Sequence, residues 1–125
     1  MSISNKARMA GLAAIAMCGV AVAGTKFAAY VNIDDNHRIA SGNLGDVHNS
    51  ADELEFIGCT LYGDMGYCFA EDRNGLYRGC STTDSQWLNV IRALNSDSYM
   101  YFAWDDYGWC TAVIVQTISA TAPKS

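Results

Sequence analysis

The segment 97–119 constrains the fold more than any other part of this chain. Two runs rich in aromatic and β-branched residues flank a short polar stretch that ends in glycine, which is the pattern of an antiparallel hairpin. A three-residue loop over 106–108 suits this pattern, because its last position favours the left-handed conformation that glycine adopts readily. This loop would place Trp104 opposite Cys110.

Neither predicted face of the hairpin is polar. One face carries Met100, Phe102, Trp104, Cys110, Ala112 and Ile114. The other face carries Tyr99, Tyr101, Ala103, Trp109, Val113 and Val115. We therefore expect the hairpin to be central and covered on both sides, with Trp104 in the core.

The N-terminal residues have the layout of a secretory signal peptide. Lys6 and Arg8 precede an apolar run over 9–22, and small residues at 21 and 23 fit an A-x-A cleavage site. The run is shorter than the roughly 20 residues that a membrane-spanning helix needs, although a retained anchor is the alternative. We expect residues 1–23 to be removed, leaving one domain over 24–125 that is periplasmic or extracellular and has no membrane span.

The charge of the chain limits the classes of partner. Loss of Lys6 and Arg8 with the signal peptide moves the formal charge from -5 to -7. Nucleic acid and anionic lipid are bound by clustered lysines and arginines, and the chain has no such cluster. These two classes of partner are therefore disfavoured.

Four cysteines remain after cleavage: Cys59, Cys68, Cys80 and Cys110. An even number in an exported domain predicts two disulfides. No two of them have C-x-x-C spacing, which argues against a metal site.

Turn geometry favours one pairing of these cysteines. A two-residue turn at 63–64 would place Cys59 opposite Cys68, whereas a turn at 74–75 would leave Cys80 one residue out of step with Cys68. This geometry favours Cys59–Cys68 and leaves Cys80–Cys110 as the second bridge. A one-residue bulge at either turn would change the assignment.

The rest of the domain is predicted to be mainly antiparallel β with one helix. Predicted strands ahead of the hairpin cover 26–34, 37–41, 54–62, 67–72 and 76–81. The first two of these are joined by a turn at 35–36, and a long polar loop separates them from the later strands, with one helical turn expected near 50–53. A helix follows with Thr83 as its N-cap, an apolar stripe over 87–94 and Asn95 as its C-cap. The order ββ-βββ-α-ββ predicts an antiparallel sheet or a small sandwich.

No catalytic motif occurs in the chain, and we expect no enzyme activity, cofactor or metal. His37 and His48 lie in polar segments and are predicted to be surface residues. Two acidic doublets occur at predicted turns, 34–35 and 105–106. Calcium binding or paired catalytic carboxylates would be possible roles for them, but solvated turn residues are favoured.

Several segments resemble small exported bacterial proteins that have no assigned activity. They include Gly-Asn-Leu-Gly at 42–45, Cys-Phe-Ala-Glu-Asp at 68–72 and the aromatic run at 98–105. The resemblance implies secretion and a disulfide-bonded domain, and it carries over no functional residues.

The leading functional hypothesis is a non-enzymatic protein that self-associates or binds another exported protein at the cell surface or in the extracellular matrix. Strands of high β-propensity and a separated first strand, which could add to the sheet of a neighbour, support it. The alternative is a small carbohydrate-binding module, because tyrosine and tryptophan can stack on sugar rings. The candidate binding residues are Tyr99, Tyr101, Asp105, Asp106, Tyr107 and Trp109.

Overall fold

The structure, a computed structural model, describes residues 28–119. The predicted signal peptide and the start of the first predicted strand lie outside the described residues. The elements that the structure describes, in chain order, are β1 (Asn32–Asp34), β2 (Ile39–Asn43), α1 (Leu44–His48), β3 (Phe56–Tyr62), β4 (Met65–Glu71), β5 (Tyr77–Thr82), α2 (Ser85–Arg92), β6 (Tyr99–Trp104) and β7 (Cys110–Gln116).

The strands form two antiparallel sheets. The four-stranded sheet has the order β1-β2-β6-β7, and the three-stranded sheet is the meander β3-β4-β5. The predicted mainly β fold and its order of strands and main helix are confirmed. Buried side chains from both sheets form one core, which includes Ala40, Ile57, Cys68, Ala70, Cys80, Met100, Phe102 and Val113.

Helix α2 lies against both sheets. It packs on β7, and its buried side chains Leu88 and Ile91 lie over Gly66 of β4. A Cβ at Gly66 would be 2.9 Å from Ile91 Cδ1 and 3.0 Å from Leu88 Cδ2, so the helix can approach this closely only because the residue is glycine. The predicted apolar stripe is therefore the buried side of the helix.

Both predicted caps of α2 are wrong. The N-cap is Asp84, whose carboxylate accepts the Gln86 N–H at 2.9 Å. The hydroxyl of Thr82 accepts the Asp84 N–H, which moves the start of the helix one residue beyond Thr83. The helix ends at Arg92 with Ala93 as its C-cap, and Asn95 is instead held in a turn with Ser98.

The expected helical turn near 50–53 is instead α1, six residues earlier in the chain. Asn43 caps it by accepting the Gly45 N–H at 3.3 Å, and Val47 is buried. The Val47 Cγ2 lies 3.3 Å from the position of a Cβ on Gly42. Tertiary packing on a glycine of β2 therefore fixes a helix that has weak local propensity.

The hairpin of β6 and β7 begins in the predicted register. Trp104 pairs with Cys110, and the Asp105 N–H donates to the Trp109 carbonyl at 3.0 Å. A bulge at Thr111 then shifts the register by one residue. Bulges of this kind exchange the two faces of a strand beyond the extra residue.

The predicted faces of β7 are therefore wrong beyond the bulge. Val113, opposite Phe102, is buried, whereas Ile114 is 51% exposed. The expected burial of both faces is also wrong, because Ile114 is exposed on the outer side and β7 is an edge strand of its sheet among the described residues. Trp104 is half-buried beside Phe102 at the margin of the core.

Both predicted disulfides are confirmed. Cys59–Cys68 has a Cα separation of 4.0 Å, and Cys80–Cys110, with 5.0 Å, links the two sheets. The predicted offset of Cys80 is wrong, because Cys68 lies opposite both Cys59 and Cys80. Since a strand residue directs its N–H and C=O to one neighbour only, just one of these two pairs can be the close, non-hydrogen-bonded kind. The short separation identifies it as Cys59–Cys68.

The expected separation of the first strand from the core is wrong. β1 pairs with β2 across a short turn, and Ile33 packs against the core. The residues before β1 are also fixed, because the Val31 N–H donates to Glu55 Oε1 at 2.9 Å. The strand is therefore already the edge of a sheet in its own chain.

Candidate functional site

The six predicted binding residues lie in two parts of the β6–β7 hairpin, two on β6 and four at its turn. Tyr99 and Tyr101 are half-buried on the outer side of the four-stranded sheet. Tyr107 is at the tip of the β6–β7 hairpin and is 86% exposed, and Trp109 is 47% exposed. Asp105 and Asp106 belong to the same turn.

Asp105 and Asp106 both have partners within the chain. Asp105 Oδ1 accepts the N–H groups of Tyr107 and Trp109 at 2.8 and 3.0 Å, which closes the turn. Asp106 pairs with the guanidinium group of Arg38. The predicted role as turn residues therefore accounts for both carboxylates.

The doublet Asp34-Asp35 repeats this arrangement. Asp34 accepts a hydrogen bond from His37 Nδ1 at 2.7 Å, which lowers the pKa of the Asp34 carboxyl. Asp35 binds the guanidinium of Arg78 through two hydrogen bonds of 2.8 and 2.6 Å. In each doublet the first aspartate closes a turn and the second binds an arginine. Over residues 28–119 no group of three or more histidine, cysteine, aspartate or glutamate side chains is arranged to hold a metal ion.

Trp109 lies where the two sheets meet. The Ser81 N–H donates to the Gly108 carbonyl at 2.9 Å, and Ser81 forms a parallel bridge with Trp109. Bridged residues direct their side chains to the same side of a sheet. Trp109 therefore extends the outer side of the three-stranded sheet beyond the edge of β5.

That outer side carries a cluster of rings, which we call the aromatic face: Phe56, Tyr67, Phe69, Tyr77 and Trp109. Phe56 lies 5.6 Å from Phe69 and 6.0 Å from Tyr77, measured between ring centroids. Tyr67 and Phe69 are stacked with their centroids 5.7 Å apart and their planes at 23°. Phe56, Tyr77 and Trp109 are each exposed to solvent.

Hydrogen bonding and glycine packing hold these rings in place. The hydroxyls of Tyr67 and Tyr77 are 2.7 Å apart. The Tyr67 ring covers Gly79, where a Cβ would be 2.7 Å from the ring carbon Cζ. Burial and the hydrogen bond with Tyr67 raise the pKa of Tyr77 to about 12, so its phenol is neutral over the physiological range.

Sequence reasoning missed the aromatic face, although its pattern is present. β4 alternates between aromatic residues, Tyr67 and Phe69, and small ones, among them Cys68 and Ala70. Aromatic residues usually occupy the buried face of a strand. Here the small residues are buried, because Cys68 and Ala70 belong to the shared core and α2 lies close to β4.

The outer edge of β3 is the second notable surface. In the described part of the chain β3 pairs only with β4, and its sequence Phe-Ile-Gly-Cys-Thr-Leu-Tyr contains no charge and no proline. Leu61 and Tyr62 are 40% and 57% exposed. Edge strands of natural proteins are usually protected by lysine, proline or a bulge, and β3 has none of these devices.

An open cleft of about 850 Å³ lies between α1 and the loop that precedes β3. Glu55 lines it, with Oε1 accepting the Val31 N–H and Oε2 buried without a hydrogen-bond donor. Burial and the neighbouring Asp52 raise the pKa of the Glu55 carboxyl, while the pKa of Asp52 is lowered. His48, also at the cleft, and His37 are both exposed, as predicted.

Comparison with models of protein families, with curated proteins and with solved structures finds no match to this chain. Among residues 28–119 no helix is long and apolar enough to cross a membrane. The two disulfides are typical of a protein that folds in an oxidising, exported compartment.

Proposed function

We propose that the protein is an exported, non-enzymatic protein that self-associates through β3. The observation that carries this proposal is the uncharged outer edge of β3, which is seven residues long and unpaired in the described part of the chain. Such an edge is a template for pairing with another strand. A second copy of the chain supplies a strand of the same length and chemistry.

The disulfide identifies the backbone groups that are free to pair. Cys59 and Cys68 form a non-hydrogen-bonded pair, so the N–H and C=O of Cys59 point away from β4. The same holds for Ile57 and Leu61, which lie two residues on either side of it. None of these three residues has a backbone partner on the outer side of β3 among the described residues.

An antiparallel pair centred on Cys59 uses the whole strand. Cys59 would then lie opposite Cys59 of the second copy, with Ile57 opposite Leu61. In this register Phe56 of one copy would lie beside Tyr62 of the other, and both side chains are exposed. Aromatic cross-strand pairs each contribute roughly 0.2–1 kcal/mol, and the two-fold axis provides two of them.

The other sheet edges are less suited to this pairing. β1 has only three residues, and β7 has a bulge and is bridged to Ser81 near its start. The hypothesis drawn from the sequence took the first strand as the one that adds to the sheet of a neighbour, but β1 is already paired with β2.

A pair of matched variants tests the proposal. Thr60 on β3 and Thr111 on β7 are both exposed threonines, so Thr60→Lys and Thr111→Lys add the same charge at different edges. We expect light scattering of the purified domain to show concentration-dependent dimers for the wild type and for Thr111→Lys. Thr60→Lys should raise the dimer dissociation constant at least about tenfold, because it places like charges near the two-fold axis.

A wild type that stays monomeric at millimolar concentration would contradict the proposal. Loss of dimers in Thr111→Lys but not in Thr60→Lys would indicate that the interface lies at β7 and not at β3. If another exported protein supplies the added strand, the wild type alone would stay monomeric and would form a complex with that protein. Thr60→Lys would then weaken the complex.

A further inference from the structure

We propose that the aromatic face binds a neutral oligosaccharide. This inference does not depend on self-association, because it rests on side chains of the outer side of the three-stranded sheet and not on the backbone groups at the edge of β3. It also differs from the predicted carbohydrate site, of which only Trp109 lies on this face.

The rings of the face are held in fixed places. Tyr67 and Phe69 stack on each other, and Gly79 below Tyr67 and the hydroxyl contact with Tyr77 fix their positions. The exposed rings beside them, Phe56, Tyr77 and Trp109, are available to stack on sugar rings. Gly58, opposite Phe69, has nothing within 4 Å of the position of a Cβ. The floor beside Phe69 is therefore open to a ligand without any rearrangement, which reduces the cost of binding.

The polar groups around the rings are hydroxyls. Thr60 and Ser81 lie on the same side of the sheet as the rings, and the phenols of Tyr67 and Tyr77 add two further hydroxyls. These groups can donate to and accept from sugar hydroxyls. Burial and the hydrogen bond with Tyr67 raise the pKa of Tyr77 to about 12, so its phenol is a neutral group among them.

The charge of the face selects against anionic ligands. On the outer side of β3, β4 and β5 the one charged side chain is Glu71, and no lysine or arginine lies there. Arg78 belongs to the opposite side of β5 and is bound by Asp35. A polymer of uronic acids would meet a carboxylate without a compensating cation, whereas a neutral saccharide would not.

Titration calorimetry with cellohexaose, maltohexaose and chitohexaose as neutral probes, and with polygalacturonate as the anionic probe, tests the inference. We expect at least one neutral hexasaccharide to bind. Phe69→Ala and Tyr77→Ala should each weaken that binding at least about tenfold, the loss expected for a central aromatic contact. Tyr107→Ala, which removes an exposed ring that is not on the face, should leave the affinity unchanged.

Gly58→Val keeps every ring but fills the open floor beside Phe69. Since valine suits a strand and meets no neighbour there, the variant should melt like the wild type and yet bind the saccharide more weakly. Three results would overturn the inference: no binding of any neutral probe, preference for polygalacturonate, or an affinity unaffected by both Phe69→Ala and Gly58→Val.

Discussion

Removing each disulfide in turn gives a quantitative test of the fold. The double variant Cys80→Ala/Cys110→Ala opens a loop of 30 residues, and Cys59→Ala/Cys68→Ala opens one of 9 residues. The chain-entropy relation gives losses of about 3.7 and about 2.6 kcal/mol for these loop lengths. Cys80 and Cys110 are both buried, whereas Cys59 is only half-buried, so the cost of truncating the side chains adds to the larger of the two losses. We therefore expect the first variant to be less stable by at least about 1 kcal/mol.

Urea denaturation followed by tryptophan fluorescence measures both free energies of unfolding. The wild type is the reference, and the four single variants would be unsuitable because each leaves a free thiol that can exchange. Both double variants should remain folded if the domain has the usual 5–15 kcal/mol of stability. A larger loss of unfolding free energy on removal of Cys59–Cys68 than on removal of Cys80–Cys110 would refute the reasoning. It would mean that the bridge with the shorter loop restrains the unfolded chain more.

Three further results are expected. Trp104→Ala should cost less than the roughly 3–5 kcal/mol typical of a fully buried tryptophan, because the side chain lies at the core margin; thermal melts check this. Gly79→Ala should displace the ring of Tyr67 and return the pKa of Tyr77 towards its ordinary value, which ultraviolet titration of the tyrosines would detect. The pKa of Glu55 is raised on folding, so this residue stabilises the fold at low pH and loses that contribution as the pH rises through its folded pKa. Glu55→Gln removes this loss. In urea denaturation, the gain in unfolding free energy of Glu55→Gln over the wild type should therefore be larger at pH 7 than at pH 4.5.

Local patterns predicted the main strands and the two disulfides because each rests on short-range geometry. The two-residue turn at 63–64 fixes the register of β3 and β4, and this register alone brings Cys59 and Cys68 together. Once that pair is formed, only Cys80 and Cys110 remain to bond with each other. The connection of the two sheets therefore followed from a hairpin, even though the offset assumed for Cys80 was wrong.

The error at Cys80 has a specific cause. Asp72 and Asp105 each begin an Asp-x-x-Gly-x segment, and each carboxylate accepts two N–H groups of its own turn. The three-residue loop was predicted at the second segment, whereas the Asn74-Gly75 dipeptide suggested a two-residue turn at the first. The hydrogen bonds that the Asp72 carboxylate accepts override the preference of Asn-Gly for a two-residue turn. They shift the register of β5 relative to β4 by one residue.

The bulge, the position of α1 and the aromatic face depend on contacts between distant segments. Thr111 carries no local feature that marks a bulge, and Val47 settles on Gly42 only after the sheets have packed. The side of β4 that faces solvent is likewise set by the helix above Gly66. Turn tips such as Tyr107 could be identified from sequence because their exposure follows from local geometry.

Amide hydrogen exchange, resolved by residue at low and at high protein concentration, tests self-association through β3 most directly. In a single copy the amides of Gly58, Thr60 and Tyr62 should be protected by pairing with β4, whereas those of Ile57, Cys59 and Leu61 point outwards and should exchange fast. We predict that protection of these three amides rises with protein concentration in the wild type and does not rise in Thr60→Lys. If they exchange at the same fast rate at every concentration, the edge of β3 is not the interface, and the proposed function is wrong.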